Sequence, residues 1–419
     1  MYYNERVAPG LVAVDSPANP FRWPIGVTAE APAYLDYVHA SISAFHRIVQ
    51  RRARDSEKGS QLLSLASSSP DPEEATFCHY RASALRGLND ALCKPTKNIN
   101  VAALAGAMML LFAQLQQGAY GHWRIHLDGF KTLINLHGGY ECLIKERRRV
   151  SFVLTNVPII DVISTTTSPV KKMNSDTIVW HMSYLKGLPQ LDYDLGPTPA
   201  PIPQSLLKPI IMTNLARARS HHAAGQFQVP RFTLSEVMAE LDAGVPSNHA
   251  SHETMPVDHS QDSTFDYGLF VNCFRSAIAL YSVEGYTSIE STNENPPDVS
   301  LTPSALKNIR NLAYDSLMQA LRKIFRLKTN QDCKGGYWKF ILWPLVIAGV
   351  QNVIVKRNRN DHDFICERLY EMAVDLGTLS MRDAAVFLNR FWDDMIASGV
   401  DGLLTNWDDI FVDAPLFLL

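Results

Sequence analysis

Hydrophobic residues recur every three or four positions along most of the chain, which is the spacing of one face of an α-helix. The clearest case lies between 120 and 139, where one face is formed by Trp123, Leu127, Phe130, Ile134 and His137. Gly138 and Gly139 follow, and glycine closes a helix end at little steric cost because it readily adopts the left-handed backbone conformation. The pattern therefore predicts a helix that ends at these glycines and buries its apolar face.

The same spacing marks most of the remaining chain, whereas strand-like alternation appears nowhere. Segments with the helical pattern lie at 33–54, 72–92, 101–117, 142–163, 206–224, 267–286, 304–325, 337–356, 364–376 and 382–396. Acidic residues directly after Pro72 suit the first turn of a helix, because negative charge there faces the positive end of the helix dipole. We therefore predict an all-α protein, a large multi-helix domain of packed antiparallel helices.

Proline, serine and threonine mark the parts of the chain that we do not expect to be helical. Residues 1–31 carry prolines at 9, 17, 20 and 24 and are predicted to form an extended arm. The single helical domain would then cover residues 32–419. Within it, the Pro-, Ser-, Thr- and His-rich segments 165–205 and 242–264 are predicted to be long surface loops, the first with one short helix near Trp180.

Composition describes a soluble globular protein with a substantial core, because 46 % of residues are hydrophobic and 19 % are charged. The formal net charge is −3. A protein that holds DNA through its phosphates needs clustered positive charge, so we expect no direct sequence-specific DNA binding. The N-terminus has no signal-type apolar core, and Pro344 interrupts the most apolar run, 340–355, which is too short to span a membrane. We expect an intracellular protein, nuclear or cytoplasmic.

Histidines and cysteines predict no metal site. The six cysteines stand at 78, 93, 142, 273, 333 and 366, and no two of them form a CxxC pair. His122 and His126 are one helical turn apart and could hold a metal, but no third ligand at a fixed spacing accompanies them. Three further histidines, at 249, 252 and 259, lie in a polar stretch without a rigid element. We assign no metal and no cofactor.

Short motifs that are typical of one protein family follow one another along nearly the whole chain. They are Asn19-Pro20-Phe21-Arg22, His79-Tyr80-Arg81-Ala82, Trp123 to Gly129 with Gly138-Gly139, Asp161 to Thr167, Phe274-Arg275-Ser276-Ala277 with Leu280-Tyr281, Trp343 to Gly349, and Phe391-Trp392. Each motif alone is weak, but their order is specific. The set resembles the helical regulatory domain of fungal-specific transcription factors, the branch called fungal transcription factor domain type 2.

The resemblance implies a regulator of transcription. Members of the family normally carry an N-terminal zinc cluster of six closely spaced cysteines that binds DNA, whereas no cysteine precedes Cys78 here. We therefore expect a regulator without its own DNA-binding module, active in fungal secondary metabolism. It would act through protein partners or by sensing a small apolar metabolite, and it could form a homodimer.

The alternative is an enzyme or ligand-binding protein of a natural-product pathway that reuses the same scaffold. No nucleophile elbow, P-loop, dinucleotide-binding glycine motif or HExxH motif is present. Acid–base catalysis of the isomerase or cyclase type needs only one or two titratable groups in an apolar pocket. The sequence leaves open whether the protein is an enzyme.

Three residues are candidate catalysts if the enzyme alternative holds. His126 borders the apolar face of its helix, while Asp161 and Tyr281 stand beside apolar segments. Each has a structural alternative. His126 would be a packed histidine bound to a backbone carbonyl, and Tyr281 would be part of the core. Asp161 would cap a helix or be a buried partner of Ser164 or Thr165.

The walls of the corresponding ligand pocket are predicted to include Trp123, Phe130, Arg275 and Trp343. Tryptophan in a pocket wall favours an apolar or aromatic ligand, although Trp343 could equally be a core anchor. The interior of the domain distinguishes the regulator hypothesis from the enzyme hypothesis. A closed core favours the regulator, and an apolar cavity of roughly 300 Å³ or more reached by His126 or Asp161 favours the enzyme.

Overall fold

The structure is a computed structural model of the 419-residue chain. It describes residues 2–13, 15–17, 19, 21–22, 31–55, 71–94, 101–119, 123–145, 147–190, 202–221, 230–243, 261–292, 301–330, 336–399, 406–412 and 416. Every regular element within these ranges is helical, and none is a strand. The predicted all-α fold is confirmed.

The α-helices of the described ranges are numbered in chain order. They are α1 (Ala33–Asp55), α2 (Pro72–Leu92), α3 (Val101–Gln117), α4 (Trp123–Leu136), α5 (Tyr140–Lys145), α6 (Arg147–Thr166), α7 (Ser175–Gly187), α8 (Gln204–His221), α9 (Leu234–Ala243), α10 (Gln261–Thr292), α11 (Pro303–Asn330), α12 (Leu342–Gln351), α13 (Arg359–Leu376), α14 (Ser380–Ser398) and α15 (Trp407–Ile410). None of these helices is long and apolar enough to cross a membrane.

Neighbouring helices pack in pairs around a buried centre. α1 lies along α2, α10 along α11, and α13 along α14. At the centre, α8 contacts α6 and α10, and α10 also contacts α12. Every residue of α12 is buried, which explains why its sequence is apolar almost throughout. The core therefore lies between α6, α8, α10 and α12.

The buried face of helix α4 is the one that its sequence predicts. The side chains of Trp123, Leu127, Phe130 and Ile134 are all buried, with at most 3 % of their surface exposed. The helix ends before Gly138 and Gly139, whose φ angles of 92° and 83° lie in the region that favours glycine. The amide of Gly139 donates to the carbonyl of Ile134, so the two glycines close the helix as expected.

Within residues 2–11, the predicted extended arm is replaced by helical turns. Tyr3–Val7 forms a π-helical turn and Ala8–Leu11 a 3₁₀ turn. Tyr3, Val7 and Ala8 are buried, so apolar packing overrides the proline-rich composition of this segment. Pro9 stands in the first turn of its helix, where the missing amide hydrogen leaves no bond unmade.

The segment 165–205, predicted to be a loop with one short helix near Trp180, is largely helical in its described part. Helix α6 continues to Thr166, and α7 and a 3₁₀ turn at Leu188–Gln190 follow. Threonine and serine are compatible with a helix here because their hydroxyls donate to carbonyls one turn earlier, as Thr166 does to Ile163 at 2.6 Å. Residues 191–201 lie outside the described ranges.

The second predicted loop, 242–264, can be compared with the structure only at its two ends. Helix α9 ends at Ala243 and α10 begins at Gln261, several residues before the start expected from the sequence. Residues 244–260, with the three histidines at 249, 252 and 259, lie outside the described ranges.

Replacing Phe130 with Ala is expected to lower the free energy of unfolding by about 3–5 kcal/mol, the usual cost of truncating a core aromatic side chain. Phe130 is 1 % exposed in the centre of the α4 face. Ile125→Ala on the same helix is the control, because Ile125 is 66 % exposed and should change stability by less than about 0.5 kcal/mol. Chemical denaturation measures both variants, and equal effects would contradict the burial of this face.

Candidate functional site

Two of the predicted catalytic residues belong to one buried group of polar side chains. Asp161 lies in α6 and bonds to residues of α4 and α7. Tyr281 lies in α10 and bonds to residues of α8. We call the group the α6–α8 network. It consists of Lys131, Asp161, Thr166, His181, Tyr184, Asn214, Arg217, Tyr281, Trp343, Trp407 and Asp408. All of these except Asp408 are buried.

Asp161 is the anion at one end of the network. Lys131 Nζ lies 2.6 Å from its Oδ2, and the Tyr184 hydroxyl donates to the same oxygen at 3.1 Å. Burial alone would raise the pKa of Asp161, but the ammonium group of Lys131 and the two hydrogen bonds outweigh burial and lower the pKa. Ser164 and Thr165 donate to the Asp161 backbone carbonyl, so their partner is its main chain and not its carboxylate.

His181 and Asn214 connect four helices, α6, α7, α8 and α10, in the middle of the network. His181 Nδ1 bonds to the Thr177 carbonyl at 2.9 Å, and His181 Nε2 bonds to Asn214 Nδ2 at 3.1 Å. The amide of Asn214 also donates to the Val162 carbonyl at 3.0 Å, and the Tyr281 hydroxyl donates to Asn214 Oδ1. This arrangement suits a neutral imidazole that carries its hydrogen on Nδ1. Burial lowers the pKa of His181 to about 4.

Arg217 of α8 holds the C-terminal end of α6. Its guanidinium donates to the carbonyls of Thr166 at 3.2 Å and Ser168 at 2.8 Å, to the Tyr281 hydroxyl at 2.8 Å and to Asp408 Oδ1 at 2.6 Å. Burial would lower the pKa of Arg217, but Tyr281 and Asp408 outweigh burial and raise it. Only its Nε lacks a partner within the described residues. Arg217 therefore stays charged in the core.

Two tryptophans complete the network around Thr166. Trp343 Nε1 donates to the Thr166 hydroxyl and Trp407 Nε1 to the Thr166 carbonyl, both at 2.8 Å. The Tyr281 ring packs edge-on against both indoles, with centroid distances of 6.2 and 5.4 Å. Trp343 also stacks on Phe274. The predicted pocket residue Trp343 thus contacts the predicted catalyst Tyr281, in a packed arrangement.

The chemistry of the network is that of a structural connector. Asp161 is held as a charged acceptor, and burial raises the pKa of Tyr281 because its phenolate would be poorly solvated. The Tyr281 hydroxyl donates to Asn214 and accepts from Arg217, so both of its roles are occupied. A general base needs a free lone pair near a substrate, and these groups direct theirs at protein atoms.

The other predicted site residues are not part of this network. His126 is half-buried on α4, and Trp123 and Phe130 lie in the core on that same helix. Arg275 pairs with Asp242 at the surface, where the Arg275 side chain is 40 % exposed. His122 lies outside the described residues.

The described residues contain no group of three or more His, Cys, Asp or Glu side chains that could hold a metal ion. The basic groups that contact Asp161 and Asp408 are Lys131 and Arg217, and ammonium and guanidinium groups are not metal ligands. In the network, Lys131 and Arg217 balance the carboxylates of Asp161 and Asp408, as a bound ion would in a metal centre.

A separate cavity of about 130 Å³ lies between the N-terminal turns and the helical body. Its apolar lining comes mainly from Val7, Leu11, Ile42, Phe112, Phe340, Leu376 and Met381. Gln116, Lys339, Thr378 and Ser380 add polar groups, and Arg6 and Asp375 are its exposed residues. None of the residues predicted to form a site lines this cavity.

Several network residues were not predicted from the sequence, although three of them, Lys131, Asn214 and Arg217, carry a local signal. Lys131 stands four residues after Leu127 and three before Ile134, which places a charge on an apolar face. Thr213, Asn214 and Arg217 form a polar stripe on α8 that is almost fully buried. A charged or amide residue in a helix's apolar stripe indicates a buried partner. It does not identify that partner, which lies far away in the chain.

The chain is similar in sequence to known proteins. The family model described as fungal specific transcription factor domain matches residues 1–418. The phomenoic acid biosynthesis cluster-specific transcriptional regulator of Leptosphaeria maculans is 26 % identical over 352 residues, which cover 82 % of this chain and 60 % of that protein. The chain thus spans less than two thirds of that relative's length. No solved structure matches it significantly.

Replacing Arg217 with Met is expected to lower the free energy of unfolding by about 3–5 kcal/mol, because it leaves a carboxylate and helix-end carbonyls without their cation. Arg275→Met is the matched control. Its pair with Asp242 is exposed, so its loss should cost less than about 1 kcal/mol. Urea denaturation of both variants measures the difference. Similar small losses would show that Arg217 does not hold the end of α6.

Stability should depend on pH through His181. Its folded pKa of about 4 lies below the ordinary 6.5, so the unfolded chain binds the proton more readily between these values. His181 therefore contributes stability above pH 6.5 that is lost as the pH falls towards 4, by about 3 kcal/mol. Denaturation from pH 7 to 4 should show a flatter profile for His181→Gln than for the natural chain. Parallel profiles would contradict this, since His46, whose pKa burial also lowers to about 4, is present in both proteins.

Proposed function

This chain belongs to the fungal specific transcription factor domain family, and from that premise we propose that it regulates the transcription of a biosynthetic gene cluster. The membership confirms the resemblance found in the sequence, and it supports a regulatory role. The relative from Leptosphaeria maculans is named as a cluster-specific regulator of phomenoic acid biosynthesis, which supports a similar role in fungal secondary metabolism.

The family match over residues 1–418 is the observation that carries this proposal. The α6–α8 network agrees with it. Asp161 and Tyr281 hold helices together through bonds to Lys131, Tyr184, Asn214 and Arg217, as expected for the interior of a scaffold. The chain would act in the nucleus through protein partners or by sensing a small apolar metabolite. It would not itself recognise a DNA sequence, because its formal net charge is −3.

The alternative of an isomerase or cyclase has no comparable support. It requires His126, Asp161 or Tyr281 to face an apolar space that a substrate could enter. None of the three lines the cavity of about 130 Å³ at the N-terminal turns, and none lines the larger surface pocket of about 620 Å³ at α8 and α9. We therefore propose the regulator alone.

Fusion of the chain to an unrelated DNA-binding domain tests the regulatory role. In a fungal host with a reporter gene behind the matching DNA site, the fusion is expected to change reporter transcription several-fold, relative to the DNA-binding domain alone. The fusion with Arg217→Met is the control, because loss of the fold should abolish the change. A folded, nuclear fusion that leaves transcription unaltered would contradict the proposal.

A further inference from the structure

Helix α4 has a second face, which is exposed in the part of the chain that the structure describes. Ile125, Gly129, Thr132 and Leu136 follow one another at steps of four, three and four, so they share one side of the helix. All four are exposed, Ile125 to 66 % and Leu136 to 77 %. We call this side the outer face of α4. It lies opposite the buried face and leaves a large apolar side chain in solvent at each of its ends.

Gly129 is the residue of the outer face that stability within the chain does not explain. Glycine in the middle of a helix is less favourable than alanine, and the backbone of Gly129 is not in the left-handed region that would require glycine. A Cβ atom there would meet no described atom within 4 Å. The missing side chain therefore serves no contact in the described fold, but it permits the close approach of another backbone.

Thr132, the other small residue of the outer face, can be covered without losing a hydrogen bond. Its hydroxyl donates to the Asp128 carbonyl at 2.8 Å, one turn earlier in the same helix. The hydroxyl hydrogen therefore needs no water, and the methyl group of Thr132 can contact another protein. The centre of the outer face is thus small, and the donor of its hydroxyl is already satisfied.

The order of residue sizes along the outer face is the same from either end. A large apolar residue is followed by two small ones and then by a second large one, at steps of four, three and four. Two antiparallel copies therefore place Ile125 opposite Leu136 and Gly129 opposite Thr132. A two-fold dimer requires this relation, in which residue i contacts residue j and residue j contacts residue i. The spacing therefore favours a second copy of the chain as the partner.

The polar residues beside the outer face agree with this arrangement. Asp128 and Asn135 lie on the same side of it, and a two-fold axis brings that side of one copy against the same side of the other. Along the helix, Asp128 is then about 3 Å from Asn135 of the second copy and about 7.5 Å from the second Asp128. An amide can donate to a carboxylate, so the arrangement does not bring like charges together first.

We propose that α4 is the interface of a homodimer in which two copies of the chain pair antiparallel through their outer faces. Gly129 lets the two helices approach closely, while Ile125 and Leu136 cover each other at both ends. One pair of 14-residue helices buries less than the roughly 1,200–2,000 Å² of a stable specific interface, so we expect a dissociation constant in the micromolar range. The dimer does not depend on the proposed regulatory function, because association is measured on the purified chain.

Sedimentation velocity at increasing protein concentration tests the dimer. Leu136→Lys is expected to raise the dissociation constant at least about 10-fold, because it places a charge in the apolar contact. Leu312→Lys on α11 is the matched control, since Leu312 is 73 % exposed on a different helix and should leave the constant unchanged. Equal constants in the two variants would overturn the proposal. A chain that stays monomeric would also overturn it, and would leave the outer face to a different protein.

Gly129→Leu tests the close approach independently of Leu136. It is expected to raise the dissociation constant at least about 10-fold, because the new side chain holds the two helices apart. At a concentration where the chain is monomeric, its melting temperature should equal or exceed that of the natural chain, since leucine favours a helix and its Cβ meets no described atom. A lower melting temperature would show that the chain itself covers this face and would overturn the interface.

Engineered cysteines test the antiparallel register. The exposed Cys78 and Cys93 are first replaced by Ser, and this background serves as the blank. A mixture of the Ile125→Cys and Leu136→Cys variants should form disulfide-linked dimers on mild oxidation, because the two positions face each other. Either variant alone should not, because the two equivalent positions lie roughly 16 Å apart along the helix, beyond the reach of a disulfide. Equal crosslinking of a single variant and the mixture would overturn the antiparallel pairing.

Discussion

The bond between Arg217 and the C-terminal end of α6 is the contact on which the centre of the fold depends. The last carbonyls of a helix lack intrahelical donors and carry the negative end of the helix dipole. Arg217 supplies donors and a positive charge to Thr166 and Ser168, and Asp408 balances that charge. Because Asp408 belongs to α15, one guanidinium group joins α6, α8 and the C-terminal part of the chain.

This contact also accounts for the structural role of Tyr281, one of the candidate catalysts. A guanidinium in the core is tolerated only if nearly all of its donors find acceptors, and the surrounding polar groups must then satisfy one another. Tyr281 accepts from Arg217 and donates to Asn214, and Asn214 in turn bonds to His181. The network thus fixes how α6, α8 and α10 lie against each other. Removing one partner of such a buried ion pair is strongly destabilising, because the other charge is left without compensation.

Local patterns predicted the helices and the closure of α4, because both depend on residues a few positions apart. The sequence predicts a short helix near Trp180, where α7 lies. The N-terminal turns and the other helical residues of 165–190 were not predicted, since composition there indicates loops while burial and local hydroxyl bonds make them helical. The partners of Asp161 and Arg217 could not be predicted either. Arg217 and Asp408 are 191 residues apart, and no local pattern encodes such a pairing. Catalytic residues and structural residues can both be polar and lie beside an apolar segment. Only their hydrogen-bond and ion-pair partners distinguish the two roles.

That distinction decides the role of the α6–α8 network. Among its buried polar side-chain atoms, only Arg217 Nε lacks a partner within the described residues. Folding alone therefore accounts for Asp161 and Tyr281, and a catalytic role would require breaking the bonds that position α6, α8 and α10.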